Sequence, residues 1–324
     1  METKWLEDFV SLAETRSFSR SAQLRHVTQP AFSRRIQSLE AWAGTDLVDR
    51  SSYPTRLTPA GQTLYEQAVE MLQALNSTRT VLRQSTAVAQ DTIEFAVPHT
   101  LAFSFFPGWI SSLRKAGAGP IKSRLIGLNV HDAVLRLVEG SCDLLIAYNH
   151  PSQPIQLDPE RYEMLALGHE VLAPYVKPDR QGQPLYRFYS QPGPPGSGQP
   201  PIPFLGFAPG AYLGRVVDWI LKQADAYGHA ATLERVYETD MAEGLKAMAL
   251  EGHGVAFLPA SSVRHEVSAG RLVSAAPPEG GLQDTLDIRL YRQRQTPKRA
   301  AGRFWQDLLD RQAPQAPAGE KIGG

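Results

Sequence analysis

The chain has 324 residues, of which 33 are basic, 33 are acidic and 42% are hydrophobic. This length suits about two domains, and the hydrophobic fraction is enough for real cores, which excludes a wholly disordered protein. The single cysteine excludes an internal disulfide and a cysteine-rich zinc site. No uncharged apolar stretch reaches the roughly 18 residues of a transmembrane helix, so we expect no membrane partner. The acidic start carries no signal-peptide pattern, and we therefore expect a cytoplasmic protein.

The zero net charge hides an uneven distribution of charged side chains. Residues 16–56 hold seven arginines and three acidic residues, whereas 57–288 carry a net charge of −6 and 289–303 carry six basic groups with no acid. A cationic N-terminal segment on an acidic body is typical of a polyanion-binding module attached to a second domain. A solvated helix face would give the same count, so charge alone leaves both interpretations open.

Apolar residues at helical spacing predict three helices within the first 44 residues. Trp5 lies on the apolar face of the first, and Ser19 and Thr28 stand where the N-terminal caps of the second and third belong. Pro30 falls in the first turn of the third helix, where its missing N–H costs little. Gly44 is expected to end this helix. Its apolar stripe consists of Phe32, Ile36, Leu39 and Ala43.

A small β wing and a long helix are predicted next. The short apolar pieces 47–48 and 56–57 suit the two strands of the wing, and Thr58 followed by Pro59 suits the start of a helix over 59–90. Steps of four and three along that helix form a heptad seam of Leu64, Ala68, Met71, Leu75, Thr78 and Leu82. Such a seam favours a coiled-coil pairing between two copies. Packing of the helix on its own domain is the alternative.

The rest of the chain alternates strands and helices. Strands are predicted at 93–97, 125–128, 143–147, 170–176, 204–207, 234–237 and 255–258, with helices at 100–113, 132–139, 211–224 and 241–251. This β/α order implies a parallel sheet. The Pro/Gly-rich segment 191–201 is expected to be a loop, and the tail 311–324 is expected to be disordered.

The helix, turn and polar-faced helix over 18–37 form a helix-turn-helix pattern, whose second helix can enter the major groove of DNA. Gln29 can bond adenine, and Arg34 can bond guanine or phosphate. Arg50 and Arg56 of the wing can contact a flanking groove or the backbone. The predicted DNA-binding residues are Ser19, Thr28, Gln29, Pro30, Ser33, Arg34, Arg35, Gln37, Arg50 and Arg56. An ordinary helical bundle with a basic face remains the alternative.

Several short motifs extend this pattern. The segments FSRSA (18–22), VTQPAFSRRI (27–36) and LTPAG (57–61) resemble the DNA-binding region of the LysR-type transcriptional regulators. GHGVAFLP (252–259) and GRLV (270–273) look like later motifs of the same family, so the resemblance covers about residues 3–305. The departures are mild: Thr28 replaces the usual serine, Ser21 the first alanine and Val48 the usual phenylalanine. The wing tip 51–54 lacks the usual basic residues.

The resemblance implies an α/β protein with an N-terminal all-α winged helix-turn-helix. The DNA-binding domain would cover 1–58, a dimerising linker helix 59–90, and a two-lobed effector domain of the type 2 periplasmic-binding-protein kind 91–310. Lobe 1 would comprise about 91–163 and 270–305, and lobe 2 about 164–269. The implied partners are an inverted repeat in double-stranded DNA, further copies in a dimer or tetramer, a small-molecule effector or oxidant, and RNA polymerase. No cofactor or metal is implied.

A narrower resemblance is to the hypochlorite-responsive subgroup of these regulators. It rests on the segments ETKWL (2–6), QPAFSRRI (29–36), YLGR (212–215) and RFW (303–305). The subgroup implies an oxidisable sulfur. Met241 would open a helix in the effector cleft and is the first redox candidate, and Cys142, beside a strand start, is the second. The alternative for Cys142 is a buried small residue.

Effector residues can be predicted from the carboxyl ends of strands, where open α/β sheets bind ligands beside helix N-termini. Thr100 and His99 are the first candidates, with Tyr212 and Arg215 opposite them. His99 and Tyr212 can alternatively be capping or core residues. The complete set is His99, Thr100, Leu101, Asn129, Tyr148, Ala208, Tyr212, Arg215 and Met241.

Two other classes of protein share parts of this sequence pattern. Residues 91–305 alone would also suit a solute-binding protein without enzymatic activity, but the missing export signal and the helix-turn-helix pattern argue against it. An enzyme on the same scaffold is weakly supported, because no G-x-S-x-G, H-E-x-x-H, phosphate-loop or dinucleotide motif is present. We therefore expect a protein that is not an enzyme.

Overall fold

The computed structural model describes residues 1–83, 91–187, 200–226, 232–277, 281–295 and 298–312. The end of the predicted linker helix, most of the Pro/Gly-rich loop and most of the predicted tail lie outside these residues. Across the described ranges, no helix is long and apolar enough to cross a membrane. Within the same ranges, no three His, Cys, Asp or Glu side chains are grouped so that they could hold a metal ion.

The N-terminal region, residues 1–83, contains four helices and a two-stranded wing. Its elements are α1 (Thr3–Thr15), α2 (Phe18–Leu24), α3 (Gln29–Ala43), β1 (Val48–Asp49), β2 (Arg56–Leu57) and α4 (Pro59–Arg83). β1 and β2 pair in antiparallel fashion. The predicted helices, wing and helix-turn-helix order are therefore present.

The helix ends follow from local capping. The Thr28 side chain accepts a hydrogen bond from the Ala31 N–H, and Gly44 ends α3 in the left-handed conformation that glycine tolerates best. The prediction that Ser19 caps α2 is wrong. Ser17 is the cap, with its hydroxyl 3.4 Å from the Arg20 N–H, and Ser19 lies inside the first turn. Ser17 acts as the cap because its backbone is extended, as an N-cap requires.

A buried carboxylate joins the helices of the N-terminal region. Asp8 on α1 is 0% exposed. Its two oxygens accept hydrogen bonds from Arg25 Nε at 2.9 Å and from Arg35 Nη1 at 3.1 Å. The core beside these three charged side chains is apolar, and the Phe18 ring packs edge-on against the Phe32 ring. Because Arg35 belongs to α3, the Asp8 carboxylate fixes where α3 lies relative to α1.

The sheet region, residues 91–312, contains nine strands and seven helices within the described ranges. The first elements are β3 (Thr92–Pro98), α5 (His99–Ser104), α6 (Phe106–Lys115), β4 (Lys122–Leu128), α7 (Val130–Val138), β5 (Leu144–Asn149) and β6 (Tyr162–Val176). The next are β7 (Ile202–Phe207), α8 (Tyr212–Ala226), β8 (Leu233–Thr239), α9 (Ala242–Glu251), β9 (Val255–Pro259) and α10 (Ala260–Ser268). The last are β10 (Val273–Ser274), β11 (Asp284–Gln293) and α11 (Arg299–Gln312).

All nine strands form one sheet in the order β4-β3-β5-β11-β6-β9-β7-β8, with β10 beside β6. The first half, β4-β3-β5, and the second half, β9-β7-β8, are parallel, as predicted. Two long strands connect them: β11 is antiparallel to both β5 and β6, and β6 is also antiparallel to β9. A wholly parallel sheet was the wrong expectation, because β6 and β11 run opposite to their neighbours.

Two further predictions need correction. The strand predicted at 170–176 is the second part of β6, which begins at Tyr162. The single helix predicted over 100–113 is two helices that meet at Phe105. Pro107, in the first turn of α6, has no N–H to donate back into α5, which accounts for the break.

The helix α4 packs one face on its own chain. Ala68, Val69 and Leu72 are buried there. Gln73 Nε2 donates a hydrogen bond to the Val138 carbonyl of α7 at 3.0 Å. The residues of the predicted seam therefore do not share one environment. Ala68 packs on its own chain, whereas Met71, Leu75 and Thr78 are exposed. The Leu82 side chain lies outside the described part.

Candidate DNA-binding surface and effector cleft

Helix α3, the predicted recognition helix, presents polar side chains to solvent. Its apolar residues Phe32, Ile36 and Leu39 are fully buried, so the opposite face points outward. Of the predicted DNA-binding residues on this helix and at its cap, Thr28, Gln29, Pro30, Arg34 and Gln37 are exposed and Ser33 is half-buried. This face offers amide, hydroxyl and guanidinium groups at the leading end of the helix, where a major-groove reader needs them.

Other predicted DNA-binding residues are held within the protein. Arg35 bonds to Asp8, and Arg50 Nη2 lies 2.7 Å from Glu40 Oε2 while its guanidinium covers the Phe18 ring. The Ser19 hydroxyl donates to Gln29 Oε1 at 3.1 Å, which links α2 to α3. Arg56 is exposed on β2. Arg35 and Arg50 are therefore held in place by carboxylates of the protein itself. Their role in DNA contact stays a prediction.

A cleft opens at the carboxyl ends of strands from both halves of the sheet. Its volume is about 760 Å³. The predicted effector residues that line it are His99, Thr100, Asn129, Tyr148, Ala208, Tyr212 and Arg215. Leu101 and Met241 are not brought into it: Leu101 is fully buried in the core, and Met241 is 43% exposed as the N-cap residue of α9.

The floor of the cleft is built from Thr100 and Tyr148. Both are buried. The Tyr148 hydroxyl has no hydrogen-bond partner of good geometry in the described chain. Burial raises its pKa well above the usual value, so the phenol stays neutral and able to donate. The Ser104 hydroxyl is close enough to interact with Tyr148, and a ligand oxygen reaching the phenol would give it an acceptor of better geometry.

Contacts across the cleft connect its two sides. Asn129 Nδ2 lies 3.5 Å from Asp240 Oδ2, which joins the end of β4 to the loop after β8. On the second half, Tyr212 Oη donates to the Gln153 carbonyl at 2.8 Å. The Arg215 Nε donates to Gln153 Oε1 at 2.6 Å. The predicted positions opposite Thr100 are therefore tied to the chain that follows β5.

The sulfur atoms lie in different surroundings. Cys142 is buried, and burial raises the pKa of its thiol, which disfavours the reactive thiolate. Met241 begins α9 as predicted, and its exposed thioether is open to oxidants. Its neighbour Asp240 lines the cleft.

Arg20 and His131 are among the residues at the cleft that were not predicted as effector residues. Arg20 of α2 donates from Nη2 to the Gly210 carbonyl at 3.3 Å, so the helix-turn-helix contacts the cleft rim. His131 of α7 lines the same rim. Burial, with Arg20 and Arg215 nearby, lowers the pKa of His131 to about 4. Nothing local in the sequence signals this meeting, because residues 20 and 210 come together only through tertiary packing.

Comparisons with known proteins identify two family domains in this chain. Residues 3–62 match the family described as bacterial regulatory helix-turn-helix protein, lysR family, and residues 86–313 match the LysR substrate binding domain. The HTH-type transcriptional regulator YjiE of Escherichia coli K12 is 30% identical over 310 residues, covering 96% of this chain and 95% of that protein.

Solved structures of full-length regulators are also similar. HypT from Salmonella typhimurium, described as a hypochlorite-specific LysR-type transcriptional regulator, is 29% identical with a TM-score of 0.57 and covers 97% of this chain and 98% of its own. Vibrio fischeri DarR, solved in complex with DNA, is 30% identical with a TM-score of 0.55 and covers 95% and 98%. The substrate-binding-domain match alone spans more than half of the chain. This protein belongs to the LysR family of DNA-binding transcriptional regulators with an effector-binding domain.

Proposed function

We propose that this LysR-type regulator takes a small-molecule effector in the cleft and that the bound effector changes its affinity for an inverted repeat in double-stranded DNA. The observation that carries the proposal is the position of the cleft between two halves of one sheet. Thr100 and Tyr148 offer hydroxyls on one side, and Asn129 reaches Asp240 across the mouth. A ligand that bonds both sides would favour the closed arrangement over an open one, and that difference would drive the response.

The same arrangement supports a separate role for each part of the chain. We propose that residues 1–58 bind DNA, that 59–90 join copies into a dimer or tetramer, and that the two lobes of 91–310 enclose the effector. Exposed apolar side chains on α4 support the pairing, since Met71 and Leu75 lie one turn apart on the surface. The protein would act in the cytoplasm and contact RNA polymerase at the promoters that it controls.

The DNA-binding part of the proposal is tested with Arg34→Ala. Binding of the full chain to an inverted-repeat duplex and to a scrambled duplex is measured by fluorescence anisotropy at several salt concentrations. Loss of a bidentate base contact should reduce discrimination between the two duplexes by about 10-fold to 100-fold. Arg114→Ala, on an exposed turn of α6, is the control and should bind like wild type. Unchanged discrimination by Arg34→Ala would refute the recognition helix assigned here.

The effector part is tested with a thermal-shift screen of small carboxylates. A compound that stabilises wild type should lose its effect in Thr100→Val, which keeps the shape of the residue and removes its hydroxyl. The same compound should change the anisotropy titration on the inverted repeat. Stabilisation that survives Thr100→Val would place the ligand outside the cleft floor.

Oxidant sensing is a second candidate function, favoured by the exposure of Met241 beside Asp240. Oxidation to the sulfoxide turns an apolar thioether into a polar group at the N-terminus of α9. The change would disturb the loop whose Asp240 accepts the hydrogen bond from Asn129. The 29% identity to a regulator described as hypochlorite-specific supports testing this idea.

A hypochlorite titration followed by intact mass and DNA binding decides between the two candidates. Met241→Leu should abolish the oxidant-dependent change in DNA binding if this methionine is the sensor. Met164→Leu is a matched control, because Met164 is similarly exposed, at 46% against 43%. An identical response in both variants would contradict a sensing role for Met241, and a carboxylate response without any modification would leave effector binding as the mechanism.

A further inference from the structure

The helix-turn-helix and the sheet region share a second cavity next to the effector cleft. This cavity has a volume of about 1250 Å³ and is lined by residues of α1, β2 and the chain that follows β5. The residues lining both cavities are Arg20, Val130, His131, Tyr212 and Arg215. The wall between the cavities is therefore rich in hydrogen-bond donors and carries two arginines.

The two arginines meet at one acceptor. Arg20 Nη2 and Arg215 Nη1 both donate to the Gly210 carbonyl, at 3.3 Å and 2.7 Å. Arg215 also donates to Gln153. Among the described residues, Arg20 and Arg215 bond only to the neutral oxygens of Gly210 and Gln153, so most of their N–H groups remain available.

The surroundings favour an anion at this point. Burial lowers the pKa of both arginines, and the charge of Arg20 adds to that lowering for Arg215. The acidic group that acts on Arg20 is Asp132, which is not close enough for an ion pair. The His131 Nε2 atom is buried and has no hydrogen-bond partner in the described chain. Two like charges, half-removed from water beside an unpaired imidazole, would be stabilised by a bound negative charge.

We propose that a small organic oxyanion of the carboxylate class binds between Arg20 and Arg215, beside His131, and thereby fastens α2 to the sheet region. Planar guanidinium groups bind carboxylates through paired N–H bonds, which a spherical halide cannot accept in the same way. The site lies at the rim of the proposed effector cleft, so this proposal rests on the function proposed for that cleft, but it uses Arg20 and Arg215 and not the Thr100 hydroxyl of the cleft floor.

The bound anion would oppose DNA binding. Ser19, a predicted DNA contact, lines the cleft together with Arg20 and lies one residue from it. An anion that holds Arg20 against the cleft rim would also restrain Ser19 there, so that Ser19 is less free to reach a DNA backbone. Anion binding and DNA binding should weaken each other by the same factor, as linkage requires.

Isothermal titration calorimetry on the full chain tests the site, with citrate as the carboxylate probe and inorganic phosphate and chloride at matched ionic strength. Citrate should bind wild type, and chloride should not compete at equal concentration. Arg20→Gln and Arg215→Gln should each raise the citrate Kd by about 10-fold or more, and Arg114→Gln should leave it unchanged. Arg20→Lys keeps the positive charge but loses the planar guanidinium, so its citrate Kd should lie between those of wild type and Arg20→Gln.

Several results would overturn the proposal. Citrate binding is also measured with Thr100→Val. Loss of affinity in that variant with full affinity in Arg20→Gln would place the anion on the cleft floor, which refutes the site between the arginines and leaves the effector proposal standing. Absence of citrate binding, or equal competition by chloride, also refutes it. Circular dichroism and thermal unfolding of each variant separate lost binding from lost folding. If Arg20→Gln does not fold, Arg215→Gln and Arg20→Lys carry the test.

Discussion

The buried Asp8 carboxylate gives a quantitative prediction for the N-terminal region. Asp8→Asn keeps the shape of the side chain but removes the charge that faces Arg25 and Arg35. One oxygen can still accept from one arginine, whereas the new amide presents N–H groups to the other. Each charge-assisted hydrogen bond contributes roughly 1.5–3 kcal/mol, and both arginines are partly exposed and can regain water. We therefore expect a loss of about 3 kcal/mol in the free energy of unfolding.

Urea denaturation followed by circular dichroism and tryptophan fluorescence measures this loss. Two of the five tryptophans, Trp5 and Trp42, lie in the N-terminal region, so part of the fluorescence change should move to lower urea in Asp8→Asn. Asp46→Asn, at an exposed loop position, is the matched control and should change the free energy by less than about 0.5 kcal/mol. A value for Asp8→Asn as small as that of the control would refute the assignment of Asp8 as the residue that holds α1 to α3.

Three further predictions concern packing, self-association and thiol chemistry. Gly61→Ala should cost about 3 kcal/mol of unfolding free energy, since a Cβ there would lie 1.9 Å from the Leu47 carbonyl oxygen, whereas Gly108→Ala meets no atom within 4 Å and should not destabilise. Urea titrations of both variants decide this. Leu75→Glu should weaken self-association in sedimentation velocity while leaving the far-UV circular dichroism spectrum unchanged, and an unaltered oligomer would contradict pairing through α4. Cys142 should react with iodoacetamide roughly 100-fold more slowly in the folded protein than in urea, as followed by mass spectrometry, because burial raises the pKa of its thiol; equal rates would argue against that burial.

Local signals in the sequence predicted much of the N-terminal region. The cap at Thr28 and the stop at Gly44 depend on neighbouring residues alone, so both could be read directly. The cap of α2 was assigned to the wrong serine because Ser17 and Ser19 have the same chemistry, and only the backbone conformation separates them. The break at Phe105 had a visible signal in Pro107.

Long-range pairing limited the prediction of the sheet and the site. Leu286, Ile288 and Leu290 alternate with polar residues, so β11 could have been predicted as a strand. Its place between β5 and β6 could not, because antiparallel pairing with distant segments has no local signature. The cleft residues Thr100 and Tyr148 were predictable from strand ends. The contact of Arg20 with the cleft rim was not, since it requires the whole tertiary arrangement.

The strands β6 and β11 make the two halves of the sheet inseparable. A fragment that stops at residue 163 would lose β11 and leave one side of β5 as an open edge, ready to pair with another chain. A fragment that begins there would keep both long strands but leave β11 without β5. Cleavage between the halves should therefore destabilise each piece, because each loses a strand partner in the sheet. The proposed effector cleft thus depends on both halves of one sheet, and movement of either side must be carried by the same two hydrogen-bonded strands.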